Sequence, residues 1–111
     1  MKKLNPDALD QVAHYFRALA EPQRLRLLSE LRLGERSVGQ LVEALDATQS
    51  NVSKHLEVLF DAGLRARERR GTSTIYRVAD EETLQLCDLV CGNVGRIAAR
   101  RAGRGTELAP D

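Results

Sequence analysis

The sequence predicts a mainly α-helical domain carrying one small β-hairpin. Three observations lead there. Apolar residues recur at helical spacing in separated blocks along the chain. Ser37, with Gln40 three residues on, forms a capping box that marks a helix start in mid-chain. Residues 64–69 and 73–78 alternate in the manner of strands around Arg70-Gly71-Thr72, the pattern of two strands joined by a turn.

The elements follow in order. Asn5 caps a first helix with Pro6 at its first position, and Leu9, Val12, Ala13, Phe16 and Leu19 form its expected buried stripe. Pro22 opens a second helix after the Ala20–Glu21 junction, with Leu25, Leu28 and Leu31 pointing inward and Gly34 as its stop. The third helix starts from Ser37 and carries Val38, Leu41, Val42 and Leu45. Asp46–Thr48 make a short turn, Thr48 caps the fourth helix, and Gly63 ends it in left-handed geometry. Asp80 caps a long last helix expected to reach about residue 100. From Gly103 the stretch GRGTELAPD has no period, so the expected organisation is one domain over 1–102 and a flexible tail over 103–111.

Composition narrows the classes. A chain of 111 residues with 42 % apolar and 30 % charged residues is an ordinary single globular domain. No apolar run approaches the roughly 20 residues of a bilayer span, and MKKLNPDALDQ lacks the apolar core of an export signal. The expected setting is therefore the cytoplasm, with no membrane partner and with thiols kept reduced. Cys87 and Cys91 accordingly do not read as a disulfide framework. No phosphate-cradling glycine loop, no nucleophile with its base and no open metal site is legible, so the chain is not expected to be an enzyme. Net charge is only +1, so the placement of charge says more than its sum.

That placement points to duplex DNA. On the fourth helix Val52, Leu56 and Leu59 face the core, leaving Gln49, Ser50, Ser53, Lys54 and the neighbouring Glu57 outside. Gln and Ser bond base edges, Lys and Ser bond phosphate, and a helix N-terminus turns unpaired N–H groups toward phosphate. Asn51, His55 and, ahead of the third helix, Ser37 complete this set. His55 reads as a phosphate contact or a solvated side chain rather than a metal ligand. The hairpin adds Arg65, Arg67, Arg69 and Arg70, with Thr72 at the tip and Arg77 on the return strand. Arg-rich strands are also what a solvated, pairing-resistant sheet edge looks like. A capped helix-turn-helix directly upstream tips the reading to DNA, with the basic hairpin beside the duplex backbone. A non-DNA module that uses the same shape for protein contacts is the competing class.

The run HYFRALAEPQRLRLLSELRLGERSVGQLVEALDATQSNVSKHLEVLFDAGLRARERRGTSTIYRV resembles the ArsR/SmtB family of small winged-helix repressors. The matching segments are L-A-x-P-x-R-L-x-L-L at Leu19–Leu28, S-x-x-x-L at Ser37–Leu41 and Q-S-x-V-S-x-H-L-x-x-L-x-x-A-G-L at Gln49–Leu64. Gly71 to Tyr76 resembles the wing, and the likeness covers about residues 10–98. The resemblance implies a winged helix-turn-helix of five helices plus a two-stranded wing. It further implies a homodimer through the first and last helices, seated on a near-palindromic double-stranded operator and released by an inducer.

The last helix carries the remaining chemistry. Leu84, Cys87, Cys91, Val94 and Ala98 are spaced as a seam, and Leu86, Val90 and Ile97 widen it, so this helix needs a partner. Gly92 and Gly95 each cost about 1 kcal/mol in a helix interior, tolerable where backbones approach closely. The arginines at 96, 100, 101 and 104 read as a solvated helix end. Cys87 and Cys91 lie one turn apart on one face. As thiolates they suit As(III), Sb(III), Cd(II) or another soft ion, or they react with oxidants or persulfides. Equally, both are good small hydrophobes for a tight seam. The thiol motif that many members of the family place on the third helix falls here on RSVGQL, without Cys, and the last helix has no His for a zinc-type site. Cys87 and Cys91 are the candidates that remain for an inducer site.

Overall fold

The computed structural model describes residues 3–103. In chain order it places α1 (Pro6–Leu19), α2 (Pro22–Arg32), β1 (Arg36–Ser37), α3 (Val38–Leu45), α4 (Gln49–Asp61), β2 (Arg65–Arg70), β3 (Ser73–Val78) and α5 (Glu81–Ala102). The described residues form two compact units that divide between Ala79 and Asp80. The expected tail lies outside the described residues except for Gly103, whose left-handed backbone ends α5.

Side-chain caps set the helix starts. Asn5 Oδ1 accepts from the Ala8 N–H at 2.8 Å, and Thr48 Oγ1 accepts from the Asn51 N–H at 3.1 Å. The capping box is complete: Ser37 Oγ accepts from the Gln40 N–H at 3.2 Å, while Gln40 Oε1 accepts from the Ser37 N–H at 2.9 Å. Asp80 accepts from the Thr83 N–H at 3.0 Å and opens α5. Glu21, not read as a cap from sequence, accepts from the Arg24 N–H at 3.0 Å and starts α2.

The stops on either side of α4 use one device. Asp46 adopts a left-handed backbone at φ 51°, and its neighbour Ala47 donates back to Val42 at 3.2 Å. A short polar side chain is among the few that tolerate this conformation. At the other end Gly63, at φ 78°, donates to Phe60 at 2.9 Å and Leu64 donates to Leu59 at 2.8 Å. Those paired bonds make a Schellman motif, and its companion apolar contact is supplied by Leu59 and Leu64, both fully buried.

Within residues 1–79 the core is Ala18, Leu27, Leu28, Leu31, Leu41, Leu45, Val52, Leu56, Leu59 and Leu64. Tyr15, Leu19, Val38, Tyr76 and Val78 pack around it. The sheet has three strands in the order β1-β3-β2, all antiparallel. The two-stranded wing is present as β2 and β3, and β1 adds a third, short strand to it: Arg36 pairs with Tyr76 and Ser37 with Ile75, anchoring the hairpin to the start of α3. The turn is also shorter than expected, because Arg70 still pairs with Ser73 and leaves only Gly71-Thr72 between the strands. Gly71, at φ 62°, supplies the positive φ that a two-residue hairpin loop requires.

Two helix faces depart from expectation. On α2 the buried residues are Leu27, Leu28 and Leu31, and Leu25 is exposed. Spacing of three residues drifts by about 60° per step around a 3.6-residue turn, so Leu25 rotates out while Leu27 rotates in. On α1 only Ala18 is buried, whereas Leu9 and Phe16 of the expected stripe are about half exposed. Val12, Ala13 and Leu19 of the same stripe are partly buried.

The second unit is α5, apolar along much of its length and about 33 Å long at 1.5 Å per residue. Leu89, Val90, Cys91 and Val94 are exposed on it. No described helix is long and apolar enough to cross a membrane.

Burial predicts a sharp contrast in stability. Leu59→Ala, at a fully buried position, should lower unfolding free energy by about 2–5 kcal/mol. Leu33→Ala, at a position 73 % exposed, should change it by no more than about 0.5 kcal/mol. Urea unfolding of the two variants checks this, and equal losses would contradict the assigned core.

Candidate nucleic-acid interface

The inner side of α4 fixes its outer side. Val52, Leu56 and Leu59 are buried, so Gln49, Ser50, Asn51, Ser53 and Lys54 stand exposed, as the sequence predicted. The Asp46 turn and the Thr48 cap hold the first turn of α4 at the surface, where its leading amides have no acceptor within the helix. A row of neutral hydrogen-bonding groups and one ammonium thus surrounds the positive end of a helix dipole.

His55 departs from this face. Its ring is half buried against α2, with Nδ1 3.3 Å from Arg24 Nη1 and Nε2 3.8 Å from Glu21 Oε2. It therefore serves the seat of α4 rather than the open surface, because one helical step of about 100° from Lys54 turns it toward its neighbour.

Arg24, which the sequence reading passed over, is the hub of that seat. Nε donates to the Ala18 carbonyl at 2.6 Å and Nη2 to the Arg17 carbonyl at 3.1 Å, so one guanidinium satisfies the end of α1 while reaching α4. A signal was present. Arg24 lies one turn before Leu28, on the inward side of α2, where a charge needs a specific partner.

The hairpin arginines separate into different roles. Side chains alternate along β2, so Arg65, Arg67 and Arg69 share one face with Tyr76 and Thr74, and Glu68 and Arg70 share the other. Arg65 is only 4 % exposed. Its Nε donates to the Leu56 carbonyl at 2.8 Å, and its guanidinium sits 4.6 Å from the Phe60 ring centroid and 5.1 Å from that of Tyr76. Glu57 Oε2 lies 3.7 Å from Nη2. Burial lowers the Arg65 pKa, and the Tyr76, Glu57 and Asp61 environment counters it. Arg65 is thus a packing residue and not a surface charge, which corrects its place in the basic hairpin.

Arg67 is exposed, on the strand face that Arg65 turns toward α4. Arg69 donates to neutral acceptors, Gly71 O at 3.3 Å and Thr74 Oγ1 at 3.5 Å, and Thr72 is exposed at the tip. Arg70 is paired instead with Glu35 and Glu68, whose carboxylates raise its pKa. Ser37 spends its acceptor on the α3 cap but keeps an O–H to donate.

On α5, Cys87 is half buried and Cys91 exposed, and both remain thiols. Among the described residues no group of three or more His, Cys, Asp or Glu is arranged to hold a metal ion.

Residues 21–64 match the model of the bacterial regulatory protein arsR family. The HTH-type transcriptional regulator NmtR of Mycobacterium tuberculosis is 42 % identical over 77 % of this chain and 71 % of its own length. The arsenical resistance operon repressor of Bacillus subtilis is 37 % identical over 74 % of this chain and 79 % of its own. The solution structure of Mb0332 from Mycobacterium bovis, described as a homodimeric winged helix-turn-helix DNA-binding domain, superposes with a TM-score of 0.79. It is 32 % identical and covers 90 % of this chain and 95 % of that one.

The two arginines of one strand face should behave oppositely. Arg65→Ala removes the side-chain donor that the Leu56 carbonyl has beyond its helical bond and empties the space beside the Phe60 and Tyr76 rings, and should cost about 1–3 kcal/mol of stability. Arg67→Ala, at an exposed site, should stay within about 0.5 kcal/mol of the parent. Thermal unfolding distinguishes them; a harmless Arg65→Ala would contradict the packing role.

Proposed function

The chain belongs to the arsR family of bacterial regulatory proteins, a DNA-binding transcriptional repressor of that type, and we propose that it acts as a homodimer placing α4 of each subunit in the major groove of an operator. The observation that carries this is the exposed polar side of α4 beside the exposed Arg67 and Arg69. Gln49, Ser50, Asn51 and Ser53 bond base edges and Lys54 meets base or phosphate. Arg67, Arg69 and Thr72 bond the flanking backbone and supply the salt-dependent part of affinity. Ser37 donates its hydroxyl to a phosphate near the start of α3.

A second copy covers the apolar residues that one chain leaves exposed on α1 and α5. Two-fold symmetry then sets operator half-sites about one helical turn, roughly 10–10.5 bp, apart or a multiple of it. The protein works in the cytoplasm, where such operators lie.

For the inducer we assign Cys87 and Cys91. The Bacillus subtilis relative is named as the repressor of an arsenical resistance operon, and a thiol pair one turn apart is a donor set for soft ions such as As(III). One chain does not complete such a site, so the remaining sulfur must come from the second subunit. A soft ion bound there supplies strong metal–sulfur bonds that favour one packing of the paired helices over another. The thiols' own part is to lose their protons and to sit on the face where α5 meets its partner.

Two experiments test the reading. Ser53→Ala with Lys54→Ala should abolish operator binding in a gel shift while the dimer stays folded; unchanged binding refutes the assignment of α4. Replacing Cys87 and Cys91 together by Ser should leave repression intact and remove release by As(III), Sb(III) or Cd(II). A double variant that still responds fully would leave the thiols as packing groups only.

A further inference from the structure

Arg70 stands at the hairpin end of β2, on the strand face opposite Arg67 and Arg69. Its Nη1 donates to Glu35 Oε2 at 2.7 Å and its Nη2 to Glu35 Oε1 at 3.1 Å, a two-pronged carboxylate contact. Nη2 also donates to Glu68 Oε1 at 2.8 Å. Two carboxylates therefore fill the positions that phosphate oxygens take on a guanidinium. Among the described residues Arg69, one residue away, bonds neutral oxygens and keeps its charge on offer.

The origin of Glu35 matters. It comes from the link between α2 and β1, 35 residues before Arg70, so the local conformation of the hairpin does not impose the contact. Glu68 is a neighbour on the same strand. The side chains of Arg70, Glu35 and Glu68 are 51 %, 42 % and 46 % exposed, so water and salt screen the cluster and it can exchange partners. A phosphate reaching Arg70 must displace Glu35, and it then leaves an unpaired carboxylate beside the DNA backbone, where like charge is unfavourable.

We propose that Glu35 is an affinity-setting residue: it occupies Arg70 as an internal substitute for phosphate, and the duplex must displace it before the wing contributes its full charge. This rests on the DNA-binding role of the wing given above. Its consequence is a repressor held below the affinity its wing could reach, which keeps release within range of a modest conformational change.

The test is equilibrium binding of the full chain to a duplex that the protein itself selects from a random pool, over a salt series of about 50–200 mM. Glu35→Gln should bind roughly three-fold tighter at the low end than at the high end of the series, relative to the parent, and steepen the log–log salt slope by about one. Asp10→Asn on α1 removes the same charge elsewhere and should do neither. In an Arg70→Gln background, Glu35→Gln should have no effect. Weaker binding by Glu35→Gln would mean that the pair is a strut that positions the wing, and would overturn the proposal. So would unchanged binding, or equal tightening in the Arg70→Gln background. If the parent chain selects no duplex at all, the DNA-binding reading fails and this inference fails with it; parent binding without the Glu35 effect removes this inference alone.

Discussion

The rotation of α4 about its own axis is the constraint from which the rest of the proposed binding surface follows. Burying Val52, Leu56 and Leu59 leaves one orientation, and in it Gln49 with Ser53 and Ser50 with Lys54 line the outer side one turn apart. The ends hold that phase. Asp46 in left-handed backbone and the Thr48 cap set where the helix begins, and the Gly63 Schellman motif sets where it ends. A polar face on a helix has little meaning by itself; here it is the complement of an apolar contact that tolerates little change.

Two arginines reinforce that contact by doing what a surface arginine does not. Arg24 ties the last carbonyls of α1 to the His55 ring of α4, and Arg65 binds the Leu56 carbonyl while lying between Phe60 and Tyr76. Each directs its hydrogen bonds to main-chain or ring acceptors, Arg65 from a buried side chain and Arg24 from a partly buried one. The charge of the molecule is thereby divided by role. Arg24 and Arg65 join elements, Arg70 is matched by carboxylates, and Arg67, Arg69 and Lys54 remain at the surface that a polyanion would meet.

Local chemistry was legible in the sequence, and long-range partners were not. The caps at Asn5, Ser37, Thr48 and Asp80 and the stop at Gly63 depend on neighbours a few residues away, and each is found in place. The outward set on α4 followed from the spacing of Val52, Leu56 and Leu59. By contrast β1 is two residues long and exists because Tyr76 and Ile75 arrive from the hairpin, so no periodicity announces it. Arg65 looks like its neighbours in a basic strand; its burial depends on Phe60 and Tyr76 converging from either side. His55 lies one residue beyond Lys54, and only the position of α2 decides which way its ring points. Leu25 failed for a different reason, since spacing of three imitates helical periodicity over two steps and then drifts from it.

The proposed dimer places the apolar residues of α1 and α5 at its interface. Leu9, Phe16, Leu89, Val90 and Val94 are too exposed to be the core of one chain, and the second copy proposed to cover them would bring two α4 helices under one symmetry. In the proposed dimer, a change in how the paired helices pack would alter the spacing of the two α4 helices. The outer side of α4 is proposed to enter the duplex. Amide chemical-shift mapping of the labelled protein, titrated with a duplex it has selected, tests that most directly. The account predicts the largest perturbations at Gln49–Lys54, with a second group at Arg67–Thr72. Tight binding that leaves Gln49–Lys54 unmoved while perturbing another surface would contradict it.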